Sequence, residues 1–236
     1  CINCPFQLPT RTPPDISGKK NRMKPYWLIV CVAALLTWDM ALAAPLPINH
    51  LPMYGEREKT AEMKNADAAL IATVGKQGLS RQEAAKLVMQ TGWFHWTKHD
   101  LAAAMSHFNQ AWLLDPENGN AYHGFALVSS VRGGSPSEVE RLFQLAVSKT
   151  NVDVVAFVDY GRFLWTQKQL EKSLVQLNKA LQLSPTARNA RSNISFVYYL
   201  RGDAGNACTW AKDAQKNGDT LEKGFLEDMC HRAGSS

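Results

Sequence analysis

The chain has 236 residues, 45% of them apolar and 20% charged, which suits one domain of moderate size or a short solenoid. Of its 26 basic and 21 acidic residues, the first 43 positions hold five and two, which leaves 21 against 19 for the remainder. A surface so near neutrality offers no general field to nucleic acid or anionic lipid, and nucleic acid is excluded as the expected partner.

Residues 1–22 are rich in Pro, Lys and Arg and precede Met23, a natural start. They are read as a non-structural leader or an over-extended start and carry no argument about fold. Residues 23–43 have the parts of an export signal. Lys19, Lys20, Arg22 and Lys24 form a basic approach, Tyr26 to Leu36 an apolar run, and Ala41-Leu42-Ala43 a small-x-small cleavage site before Ala44. The run is short for a membrane span and Asp39 lies directly behind it. The expected location is therefore the periplasm or cell envelope of a Gram-negative bacterium. The alternative is an uncleaved inner-membrane anchor facing the periplasm, so that only this segment would touch the membrane.

The five cysteines divide in the same way. Cys1, Cys4 and Cys31 precede the cleavage site, and only Cys208 and Cys230 follow it. An even pair in an exported chain predicts a disulfide, with two buried thiols as the alternative. Cys1 and Cys4 have no second Cys/His pair at zinc-site spacing.

Residues 44–59 read as a linker. Over 60–78 the stripe Met63, Ala66, Leu70 and Val74 has helical spacing and predicts an N-terminal capping helix. Ser80 and Glu83 then make a capping box that starts the next helix, and SPSE at 135–138 repeats the device with Pro136 at the first helical position. Helical patterns continue to the end, where Leu221, Phe225, Leu226 and Met229 mark a closing helix over 220–232, weakened by Gly224. The β-prone runs at 152–158 and 196–199 lie inside longer helical patterns.

The helical segments align with one another at a period of 34 residues. With Ala85 as position 1, Gly92 falls at 8, Ala104 at 20, Phe108 at 24, Ala111 at 27 and Pro116 at 32. A unit from Val154 puts Gly161 at 8, Leu177 at 24, Ala180 at 27 and Pro185 at 32. A unit from Arg188 gives Tyr198 at 11, Ala207 at 20 and Ala214 at 27, and one from Gly119 fits with one extra residue before Phe143 and Ala146. Two helices of this length cross closely only where small residues face large ones. One such hairpin cannot bury its apolar face alone, whereas stacked hairpins share a core.

These residues, above all GWFHWTKHDLAAAMSHFNQAWLLDPENGNAYHGFA, resemble the tetratricopeptide repeat (TPR) family over about 85–220. The resemblance implies an all-α solenoid of stacked antiparallel helix hairpins: repeats at 85–118, 119–153, 154–187 and 188–219, and a cap and tail at 220–236. Repeats two and four depart from the pattern, with Ala126 for the glycine and Asn151 and Asp219 for the helix-breaking proline. Cys230 would staple the cap to Cys208 in repeat four.

The resemblance also implies a concave binding groove lined by the first helix of each repeat. Repeat one would supply Met89, Trp93 and Trp96, and repeat two His123 and Leu127. Repeat three would supply Arg162 and Trp165, and repeat four Phe196 and Tyr199. Aromatics and Arg carry much of the energy at protein interfaces. The competing reading is that several of them pack between helices, Trp93 and Phe196 foremost. The basic-asparagine clamp by which some relatives hold a C-terminal carboxylate is not reproduced, because Met89, His123 and Ser192 stand at its positions.

No catalytic constellation emerges and no cofactor is implied. His95 and His99 stand four apart with His107 and His123 further along, a spacing that can hold a metal. A metal-assisted hydrolase on these histidines is the enzymatic alternative. A repeat protein that only self-associates through 220–232 is the structural one. The preferred expectation is a non-enzymatic scaffold binding another protein or peptide.

Overall fold

Helices arranged in consecutive pairs make up the computed structural model, which describes residues 46–149 and 151–234. The segments 1–22 and 23–43, and the export signal read from them, lie outside the described residues. In chain order the helices are α1 (Ala61–Lys76), α2 (Arg81–Thr97), α3 (Leu101–Leu114), α4 (Gly119–Val131) and α5 (Pro136–Ser148). There follow α6 (Val154–Thr166), α7 (Leu170–Leu183), α8 (Ala190–Leu200), α9 (Ala204–Lys216) and α10 (Phe225–Gly234). Pairs α2/α3, α4/α5, α6/α7 and α8/α9 form the hairpins, and α10 packs on α9. The fold is an all-α, TPR-like solenoid with no strand among the described residues. None of these helices is long and apolar enough to cross a membrane.

The small-to-large pairing explains why the hairpins close. A Cβ on Gly92 would lie 2.5 Å from Cε1 of Phe108, and one on Gly161 would lie 2.6 Å from Cγ of Leu177. Position 8 of each of these repeats must therefore be bare for the residue at position 24 to reach the partner helix. Two buried serines do related work. Ser173 Oγ donates to the Gly161 carbonyl at 2.7 Å, and Ser195 Oγ donates to the Ala207 carbonyl at 2.6 Å. Each hydroxyl finds a partner across its own hairpin, so burial leaves it satisfied. The buried side chains form a large cluster from Met53 to Leu164, a second from Phe157 to Val197, and a small third of Ala207, Cys208 and Met229.

The helix starts follow local chemistry. Ser80 and Glu83 form the full capping box. At α5 only half of that device exists: Ser135 accepts from the Glu138 N–H, while the Glu138 carboxylate pairs with Arg141 instead of returning to the cap. Asn118 caps α4 through the Asn120 N–H. The two residues that stand where the other repeats have a proline reach back to the start of their own repeat. Asn151 accepts from the Gly119 N–H at 3.1 Å, and the Asp219 carboxylate accepts from the N–H groups of Asn189, Arg191 and Ser192 at 2.7–3.2 Å. The closing helix starts at Phe225 and not at 220, because Gly224 holds φ +80°.

Residues 44–59, expected as a linker, include an ordered strap laid against α3: a 3-10 turn at Ile48–His50 followed by a left-handed turn through Met53, Tyr54 and Gly55. The fully buried Asn109 amide holds it by donating to the carbonyls of Asn49 (2.9 Å) and Leu51 (2.8 Å) and accepting from the Tyr54 N–H (3.1 Å). The Arg132 guanidinium donates to the His50 carbonyl at 2.6 Å, and Met53 is buried. Met53, Tyr54 and Glu56 all take left-handed φ of 50–56°, a conformation that costs L-residues energy and persists here because so many contacts fix it.

Burial, reinforced by the Asp67 carboxylate, pushes the Tyr54 phenol up from 10.0 to about 12. The fold thus favours the neutral phenol. Its contribution to stability is complete below pH 10 and is lost as pH rises through about 12. Wild type should lose stability relative to Tyr54→Phe across that window. A stability difference that stays flat from pH 10 to 12 would contradict this placement of Tyr54.

Candidate functional site

The first helices of successive repeats touch one another, α2 with α4 and α6 with α8, and no comparable contact joins the second helices. The stack therefore curves toward the first helices, which form its concave side. The nine expected groove residues fall into two groups there.

In the N-terminal half they mostly pack. Met89 and His123 are 5% and 2% exposed and belong to the interior, which corrects their assignment to an open groove. Trp93 is half-buried, its ring 4.9 Å from Phe108 and 5.3 Å from His123. Trp96 and Leu127 are also half-buried against the large core cluster. The physical reason is position in the repeat: Met89 and His123 stand at position 5, which faces the core in repeat three as well, where Val158 is 4% exposed. His123 Nε2 bonds Asp159 Oδ2 at 3.0 Å, and Asp159 Oδ1 lies 3.5 Å from an Arg162 guanidinium nitrogen. Arg162 itself is exposed.

In the C-terminal half the side chains frame an open space. Trp165 lies half-buried, its ring 4.8 Å from Phe196, and its Nε1 donates to Asn193 Oδ1 at 3.4 Å. The Phe196 ring is 5.6 Å from Tyr199 and 6.2 Å from Phe225, and Tyr199 stands 5.8 Å from Phe225. Trp165, Ser192, Asn193 and Phe196 form one wall of a cleft of about 210 Å³; Thr220, Leu221, Glu222 and Phe225 form the other. The polar Asn193 and Ser192 lie beside rings, a mix that suits an amphipathic side chain.

Four residues of this face escaped sequence reasoning as groove residues. Leu221 and Phe225 were legible only as the sticky side of the cap, since nothing local says that the cap folds toward α8. Asp159 left a usable signal, its spacing of three from Arg162 on one helix. Asn193 left none.

The histidines do not converge. His95 Nδ1 faces Asp100 at 3.4 Å and its ring stacks on His107 at 5.2 Å. Burial, then the neighbouring His95, holds His107 below the ordinary histidine pKa. His99 sits exposed in a left-handed turn (φ 58°), and His123 is committed to Asp159. Among the described residues, no three of His, Cys, Asp and Glu gather as a metal would require. The metal-assisted hydrolase reading therefore has no site to rest on.

Cys208 and Cys230 are joined as a disulfide, as their isolation after residue 43 led one to expect. The bond links α9 to α10, and so to the helix that carries Phe225.

No protein-family model matches the sequence, and neither does any curated protein. Solved structures do. PilF of Pseudomonas aeruginosa superposes with a TM-score of 0.60 at 19% identity, over 66% of this chain and 71% of that one. PilW, a widely conserved type IV pilus biogenesis factor, gives 0.55 at 19% identity over 73% and 79%. YrrB, a TPR protein with an unusual peptide-binding site, gives 0.51 at 18% identity over 71% and 81%. At these identities the likeness shows the TPR-like solenoid fold.

Proposed function

We propose that the chain is a non-enzymatic interaction scaffold of the bacterial cell envelope that seats a segment of a partner protein on its concave side. The observation that carries the reading is the cleft of Trp165, Phe196, Leu221 and Phe225, an apolar space beside Asn193 at one end of the first-helix face. A bulky side chain of the partner enters it, while a partner carboxylate pairs with Arg162 further along. Burial of such an anchor residue is how TPR-sized grooves obtain affinity from few contacts. Trp93, Trp96 and Leu127 support the face and add exposed edges to it.

The envelope location rests on the export signal read at 23–43 and on the disulfide, a bond that persists in oxidising compartments. It also accords with the described role of PilW in type IV pilus biogenesis. Peptide recognition accords with the described site of YrrB.

Immobilised protein should capture a partner from envelope extract, and Trp165→Ala should retain at least about tenfold less of it, in line with loss of a central interface aromatic. Equal capture by both proteins would remove the cleft from the interface.

A further inference from the structure

We propose that α10 is a wall of the cleft that a thiol reductant can release. Three observations lead there. The first is position: Phe225 opens α10, faces Trp165 and Phe196 across the cleft, and packs on Tyr199. The second is a narrow apolar footing. α10 spans ten residues, too short to hold as a helix by itself, and Met229 is its one fully buried side chain. It belongs to the small third cluster, separate from the two that unite the repeats. The third is the cross-link. The Cys208–Cys230 bond is the only covalent tie between this helix and repeat four beyond the chain itself, and it closes a separation of 22 residues.

The two sides of the cleft are thus held by different means. The loop before α10 is fixed from within the repeat, because the Asp219 carboxylate caps three N–H groups at the start of α8. The helix beyond Gly224 rests on α9 through the small cluster around Met229, with Phe225 and Ala233 packed against it, and the disulfide ties it there. Cys208 is 7% exposed whereas Cys230 is partly exposed, which gives a reductant its access. A dithiol reductant delivers two electrons and two protons, converts the bond into the thiols of Cys208 and Cys230, and leaves as its own disulfide. Freed of the link, α10 leaves α9 and the cleft loses its Phe225 side. The effect on binding rests on the groove reading above; the release of the helix does not.

Hydrogen exchange on the whole chain tests this without any ligand. The oxidised protein, the same protein reduced with a phosphine, and the double variant Cys208→Ala/Cys230→Ala are compared. Removing a cross-link over a loop of this length should raise opening of α10 by about a hundredfold. Amides of 225–234 should exchange correspondingly faster in both disulfide-free states, while those of α2–α7 keep their protection. Unchanged protection of α10 after reduction and in the double variant would overturn the proposal. Loss of protection throughout the chain would overturn it as well, by showing the bond to be a staple of the entire fold. A groove that binds nothing leaves the exchange result standing, and an α10 that stays docked leaves the groove reading standing.

Discussion

Phe108→Ala should lower the unfolding free energy by about 3–5 kcal/mol, the cost of deleting a large buried ring whose cavity cannot collapse. Phe108 is fully buried in α3 and serves two repeats at once. Its ring fills the spaces left by Gly92 in α2 and Gly124 in α4, where an added Cβ would come within 2.5 and 2.6 Å of it. It also touches Trp93 at 4.9 Å. Two facing glycines leave no side chain able to relax into the vacancy, so the loss should fall at the upper end of that range. Val175→Ala, at a side chain 62% exposed on α7, should change stability by no more than about 0.5 kcal/mol. Chemical denaturation of both variants checks the contrast. Equal, small effects would mean that the first two repeats are not joined through this ring.

Asn109→Ala should free the strap. The side chain is fully buried and holds three backbone groups of 49–54. Each of those groups, left buried without a partner, costs about 1–3 kcal/mol. The left-handed backbone of Met53, Tyr54 and Glu56 adds further strain. The strap therefore gains more by moving into water than by staying, and the penalty is capped at the energy of docking. Tryptic cleavage after Arg57 and Lys59 should speed up at least about tenfold, with the repeats still folded, because local opening limits such cleavage. Cleavage at the wild-type rate would show that Arg132 and Met53 hold the strap without Asn109.

Repeats are legible in this sequence for a physical reason: close helix crossings demand a bare position wherever a bulky one arrives, and Gly92/Phe108 and Gly161/Leu177 state that demand at a constant interval. The strap is not legible, because its order comes from bonds to residues more than 50 positions away, such as Asn49 to Asn109 and His50 to Arg132. Asn109 itself reads as one more polar residue on a helix. The first-helix face was legible in part. Periodicity names the residues of the first-helix face but not which of its positions stay open: position 5 is buried at Met89, His123 and Val158, whereas position 12 is half-buried at Trp96 and Trp165. That face borders a cleft at its C-terminal end, where the loop after α9 lies over α8. That loop is set by Asp219, a residue the repeat pattern marks merely as a missing proline.

The central claim is that the C-terminal cleft recognises a partner, and Trp165 and Tyr199 separate recognition from packing. Tyr199 is 38% exposed and Trp165 half-buried, whereas Phe108 is fully enclosed. The decisive measurement is a titration of the captured partner against wild type, Trp165→Ala and Tyr199→Ala, with thermal melts of the same samples. Each variant should lose more than about 1 kcal/mol of affinity, with a melting temperature far closer to wild type than that of Phe108→Ala. Unchanged affinity joined to a collapsed melting temperature would show that these rings are core and that the partner, if any, binds elsewhere.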